Sequence, residues 1–379
     1  MNATTTPPLE HKDMTPQQKK AWEALENAVS AGNKKALRAL LKTSDGMAAA
    51  AGCDSDNATS VLFYAFLLKK PDLVLELIPF SSLNARGMFK RTPLMMAANA
   101  QDPILVSALL SEPAAQETVD WQDETGGTAL EMWVSADEKT LRVFSPKDKI
   151  HDPVAKREAF DALLEKSDAS VRAHFGHTAL MNAASENNAE YVTALLRKSD
   201  PKAVDSEGND ALKLAINHRA MDAVRALVSV SDLWKRNTSN GETAFDLAAV
   251  HAQRDCVELL MPYALPALAA WQKVDEKAKT FTPEKWLRRW FDTAWSWERW
   301  AVGDLIAAHA ESAGHGFPDL KKLAKNFDRE DLPRIHAILE ARELSKAASQ
   351  EKAPGAASND DLLAPPAPEK KARRSRKAL

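Results

Sequence analysis

Apolar residues in this chain recur with a helical period, and they do so in short paired bursts. Between residues 178 and 196, Leu180, Ala183 and Ala184 fall on one face at i, i+3 and i+4. Tyr191, Val192, Leu195 and Leu196 repeat the spacing after a polar break at Glu186 to Asn188, which predicts two short amphipathic helices joined by a turn. The same pair of stripes returns along the chain. RTPLMMAANA (91–100), GTALEMW (127–133), HTALMNAASE (177–186), NDALKLAINH and ETAFDLAAVH open successive units at Thr92, Thr128, Thr178, Asp210 and Thr243, at intervals of 36, 50, 32 and 33 residues. A hydrophobic doublet closes each unit: Leu109-Leu110, Leu163-Leu164, Leu195-Leu196, Leu227-Val228 and Leu259-Leu260. One helix pair has no opposing layer to bury its stripe, so the pattern predicts a stack in which each unit covers the next.

Two upstream segments fit the template without the threonine. SVLFYAFLLKKPDLVLELI places Ser60, Leu62, Ala65 and Leu77-Ile78 in register, and ALENAVSAGNKKALRALL does the same with Leu25, Ala28 and Leu40-Leu41. Six or seven units are therefore expected between about residues 20 and 265. Small residues at Ala97-Ala98, Ala183-Ala184 and Ala248-Ala249 would let inner helices approach closely. Gly126, Gly176, Gly208 and Gly241 stand two residues before the opening position, where a turn of positive φ costs glycine nothing. Together these phrases, with VDWQDETGGTAL (119–130) as the closest match, resemble the ankyrin repeat family. The resemblance implies an all-α solenoid of helix-turn-helix repeats with short hairpin turns, closed by a helical C-terminal cap.

The chain departs from the family at two recurrent places. The histidine that usually follows the TPL phrase is Met95, Glu131, Met181, Lys213 or Asp246, and the glycine between the helices is Gln101, Asn187, Arg219 or Ala252. Of the latter only Asn187 adopts a left-handed conformation comfortably, so residue type gives no support for the same turn in the other units. The fourth unit also carries an insertion at 136–158, read as a surface loop that is either a contact site or a tolerated excursion; its Val143 and Phe144 are apolar.

The resemblance further implies binding of another macromolecule through the hairpin tips and the concave inner-helix face. The matching tip positions are Met88, Phe89 and Arg91; Glu124 and Thr125; His174, Phe175 and His177; Ser206, Glu207 and Asn209; and Ser239, Asn240 and Glu242. Inner-helix ends add Asn99, Ser185, Glu186, His218 and His251. Phe89 and Phe175 carry the most weight, because an aromatic at a turn tip has no core of its own to fill. Each could equally fold back over the neighbouring hairpin.

Composition adjusts this picture in three ways. No stretch of about 18 apolar residues is present to span a membrane, the N-terminal residues lack the apolar core of a secretory signal, and Cys53 and Cys256 lie in different repeats. A cytoplasmic location is the expectation, with export as an effector or nuclear targeting as alternatives. The net charge of −3 conceals a split: residues 346–379 hold eight Lys or Arg against four Asp or Glu, which leaves −7 on the remainder. That Ala-, Pro- and Ser-rich tail is expected to be disordered, as is the segment 1–19. Its end, with Lys370, Lys371, Arg373, Arg374, Arg376 and Lys377, is either a solubilising terminus or a site for phosphates, acidic surfaces or import factors. Third, residues 266–345 hold six of the ten tryptophans, and Trp286, Trp290 and Trp297 share one helical face. A cap over the last repeat and a second partner site both fit that face.

Nothing points to chemistry. The chain has no P-loop, dinucleotide fingerprint, HExxH or CxxC. His174 and His177 share one hairpin tip, and His218 and His251 stand at equivalent positions of successive repeats, but stacked helices lie roughly 8–10 Å apart while zinc needs nitrogens at about 2.0–2.1 Å. No metal, cofactor or catalytic residue is expected. The leading expectation is a non-enzymatic scaffold or adaptor, monomeric by itself, that binds a protein partner. The alternatives are a nucleic-acid- or nucleus-associated protein using the basic tail, and an inhibitor or immunity protein for a toxin or enzyme.

Overall fold

The computed structural model describes residues 10–53, 60–136, 152–251, 253–263 and 306. These lie in a compact unit running from Met1 to His315. Among the described residues the chain is helical and has no strand, and no helix is long and apolar enough to cross a membrane. The helices form seven successive pairs: α1 (Pro16–Ser30) with α2 (Lys34–Leu40), α4 (Val61–Leu67) with α5 (Pro71–Leu77), α6 (Pro93–Asn99) with α7 (Pro103–Leu110), α9 (Ala129–Ser135) with α10 (Pro153–Lys166), α11 (Ala179–Ser185) with α12 (Ala189–Leu195), α13 (Ala211–Asn217) with α14 (Met221–Leu227), and α15 (Ala244–Val250) with the helical residues 254–263. Two extra helices, α3 (Ser44–Ala51) and the single turn α8 (Pro113–Gln116), follow the first and third pairs.

Each first helix packs on the first helix of the next pair along α6, α9, α11, α13 and α15, while second helices such as α7 and α10 form the other layer. The core is the predicted stripes: Leu94, Ala97, Ala98, Leu180, Ala183, Ala184, Ala248 and Ala249 are buried, with Leu109, Leu163, Leu195, Leu227 and Leu260 behind them. The opening residue of every unit is a helix N-cap. The side-chain oxygens of Ser60, Thr92, Thr128, Thr178, Asp210 and Thr243 each accept the amide three residues on, satisfying a donor that the first turn leaves unpaired.

The inter-helix turns correct an expectation. Lys69, Gln101 and Arg219 take φ of 56°, 45° and 57°, beside Gly32 at 67° and Asn187 at 57°. The turns are alike: the amides of Lys70, Asp102, Asn188 and Ala220 reach back to the carbonyls of Ala65, Ala97, Ala183 and Ala215, a Schellman closure. Packing of two helices at a fixed angle outweighs a strain of about 1–2 kcal/mol per left-handed residue. Gln101 is also held by donating to the Trp133 carbonyl at 2.7 Å. Arg219 is exposed. Arg219→Gly should therefore raise stability by about 0.5–1 kcal/mol, read as a higher denaturation midpoint.

Order also starts earlier than residue 20. Thr15 caps α1 with a reciprocal bond from Gln18, Glu10 pairs with Cys53, and the His11 ring meets Trp22 at 5.5 Å. The insertion is not all loop either, since residues 153–158 belong to α10, which starts ten residues before its closing Leu163 where α7 starts six before Leu109. Residues 137–151, the Trp-rich segment with its expected cap apart from Ile306, and the basic tail lie outside the described residues.

Candidate protein-binding face

Five hairpins join the second helix of one pair to the first helix of the next. Each closes on itself, as in Gly87 N–H to the Arg91 carbonyl at 2.8 Å, Asp123 to Gly127 at 3.0 Å, Ala173 to His177 at 2.8 Å and Asp205 to Asn209 at 2.9 Å. Each also bonds the next through one backbone rung: the amides of Glu124, His174, Ser206 and Thr238 donate to the carbonyls of Phe89, Thr125, Phe175 and Glu207 at 2.8–3.0 Å. The expected glycines have φ of 79°, 77°, 81° and 72° at Gly126, Gly176, Gly208 and Gly241. Gly208 admits no side chain, because a Cβ there would stand 2.6 Å from the Thr238 nitrogen.

A second ladder, absent from the sequence reading, runs beside the first. Six residues before the opening position stand Arg86, Gln122 and Arg172. Arg86 donates to the Gln122 carbonyl at 3.0 Å, Gln122 to the Arg172 carbonyl at 2.7 Å, and Arg172 to the Val204 carbonyl. Arg86 also lies over the Trp121 ring at 4.5 Å. The recurrence of long donors at this offset is the signal that could have revealed it.

The candidate tip residues divide by this framework. Met88, Phe89 and Phe175 are 55%, 56% and 67% exposed, so neither Phe folds back over its neighbour. Both sit at the same place in their hairpins with φ of 59° and 61°. Glu124, Thr125, His174, Ser206, Glu207, Ser239 and Asn240 are exposed beside them. Arg91, His177 and Glu242 are half-buried: Arg91 pairs with Asp123 at 3.2 Å, His177 faces Asp205 at 3.6 Å, and the Glu242 amide donates to Asn237. Asn209 was expected on the contact face and is instead 3% exposed. It bonds Asp205, Glu207 and Asn237, because the position before the cap points along the stack toward the next hairpin. At the inner-helix ends Glu186, His218 and His251 are exposed and Asn99 and Ser185 half-buried. Among the described residues no three His, Cys, Asp or Glu side chains converge to hold a metal.

The ankyrin repeat family is matched in three copies over residues 153–237. Residues 153–237 are ankyrin repeats. No curated protein sequence matches it. Among solved structures it is similar to the ankyrin repeat domain of Bcl-3, a member of the IkappaB family, at 22% identity and a TM-score of 0.47, covering 59% of this chain and 92% of that one.

Three of the ankyrin histidine positions hold acids or a lysine, and the structure shows how they are accommodated. Asp246 and Glu131 complete capping boxes with Thr243 and Thr128. Glu131 is buried; burial pushes its carboxyl up to about 7, against the opposing pull of the Thr128 and Ala173 amides and with Asp123 adding to the rise. Its folded form thus favours the neutral acid. The stabilisation is complete below the ordinary carboxyl range near 4.5 and is lost as pH rises toward 7. Glu131→Gln keeps the cap acceptor without the charge, so the variant should gain about 2–3 kcal/mol over the parent at pH 8 and lose that advantage near pH 5. Urea midpoints of both proteins across this range test it.

Proposed function

We propose that the repeats hold a protein partner against the hairpin tips and the adjoining ends of the inner helices, without catalysis. Ankyrin repeats are protein–protein interaction scaffolds, and here the supporting observation is the placement of Phe89 and Phe175. Two large aromatics are exposed at left-handed positions of a hairpin row that is tied rung by rung in backbone and side chain. Left-handed backbone at a bulky residue is strained, and such outliers concentrate where a surface is used. Aromatic anchors on a preorganised surface bind with little ordering entropy to offset.

Affinity capture from native lysate, with and without nuclease, tests the reading. One protein should be retained by the full chain, survive nuclease and fall about tenfold or more with Phe89→Ala/Phe175→Ala. Capture that vanishes with nuclease and ignores the double substitution sinks it and favours nucleic-acid binding.

A further inference from the structure

The tips carry charge as well as aromatics, and the charge restricts the partner. Asp123, the acid at the base of the second hairpin, is already engaged by Arg91 and by Thr125 and Gly127. Asp205 is likewise engaged by the amides of Glu207 and Asn209. Exposed Lys90 adjoins Phe89, exposed Arg172 and His174 adjoin Phe175, and exposed Arg86 lies at the base of the first hairpin. Glu124 is the exposed acid of the intervening tip. The Arg91 guanidinium lies 5.8 Å from the Phe89 ring centre, so that ring already has a cation and a further cationic side chain meets repulsion there. Two hairpin steps of roughly 8–10 Å separate the aromatics, and an extended chain rises ~3.3 Å per residue.

We propose that the tips of the third to fifth repeats bind an acidic, extended segment of a partner protein, with two large apolar side chains about five or six residues apart seated on Phe89 and Phe175, and acids beside each. The segment is uncharged or basic where it passes Glu124. Met88, unbranched and exposed beside Phe89, lets the contact at that tip accept several apolar shapes. This rests on the tip-binding reading and adds to it the chemistry of the partner.

The test is selection of random displayed peptides, long enough to reach both tips, on the full chain, with counter-selection on the folded Phe89→Ala/Phe175→Ala double variant. Peptides of the stated pattern should be enriched. A synthetic representative should bind about tenfold more weakly to either single Phe variant, several-fold more weakly to Lys90→Glu, and more weakly as salt rises. Enrichment of basic peptides, of peptides with one apolar anchor, or of nothing overturns the acidic class. If a captured protein still depends on the Phe pair in those cases, tip binding stands and only the partner chemistry falls. Peptides that bind the double variant equally overturn both. Unfolding midpoints of the variants equal to the parent's keep these outcomes from reflecting misfolding.

Discussion

Lys213→Met should destabilise the protein by about 3–5 kcal/mol, whereas Asp210→Thr/Lys213→Met should come within about 1 kcal/mol of the parent or exceed it. Asp210 and Lys213 are both 0% exposed. The Asp210 carboxylate accepts the Lys213 amide at 3.0 Å through Oδ1 and its ammonium at 3.2 Å through Oδ2. Burial pushes the Asp210 carboxyl up, and Lys213 is what opposes it. Removing the lysine alone strands a buried carboxylate, whose solvation loss nothing then offsets. Removing both leaves a site that the protein itself fills elsewhere with uncharged residues, Thr92 with Met95 and Thr178 with Met181. The single variant also acquires a pH signature. With its folded carboxyl further raised, its deficit should shrink as pH falls toward 5 and Asp210 takes up a proton. Urea denaturation of the three proteins at two pH values decides the matter; equal losses in single and double variants would show that the pair is not coupled.

Trp133→Ala should cost a similar 3–5 kcal/mol and should also divide the unfolding transition. Trp133 is fully buried, donates from Nε1 to the Tyr191 hydroxyl at 3.0 Å, and offers its carbonyl to Gln101. Tyr191 in turn packs on Phe160 at 4.3 Å between ring centres. The residue thus meets the repeat before its own through its backbone carbonyl and the repeat after through its ring. In a linear stack each repeat is stabilised only through its neighbours, so a cavity at this interface uncouples the units on either side. Trp133→Phe should recover most of the packing and lose the Tyr191 bond, worth about 1 kcal/mol. Hydrogen exchange of the first three and last three repeats, followed separately, should show one common opening in the parent and two in Trp133→Ala.

Much of the fold was legible because a solenoid repeats its instructions. Helix stripes, closing doublets, cap residues and tip glycines are each decided within about 30 residues of chain, and recurrence makes them readable. The turns at Lys69 and Arg219 were not readable, since residue propensity opposes the left-handed backbone that helix packing imposes there. The early start at Glu10 is not local either: it depends on backbone pairing with Cys53, more than 40 residues away.

The candidate site divides along the same line. Sequence alone determined which residues stand at hairpin apices, because the spacing from each cap residue is local. Only the tertiary structure decided that Phe89 and Phe175 face solvent while Asn209, at an equally plausible tip position, turns inward to the next hairpin. Burial at a tip depends on what the adjacent repeat presents, and that is a contact between segments about 30 residues apart. The same holds for Lys213, which stands at the family's usual histidine position and which the stack encloses with its aspartate. Local spacing sets where each residue stands along the repeat, and the neighbouring repeat sets whether it meets water or protein.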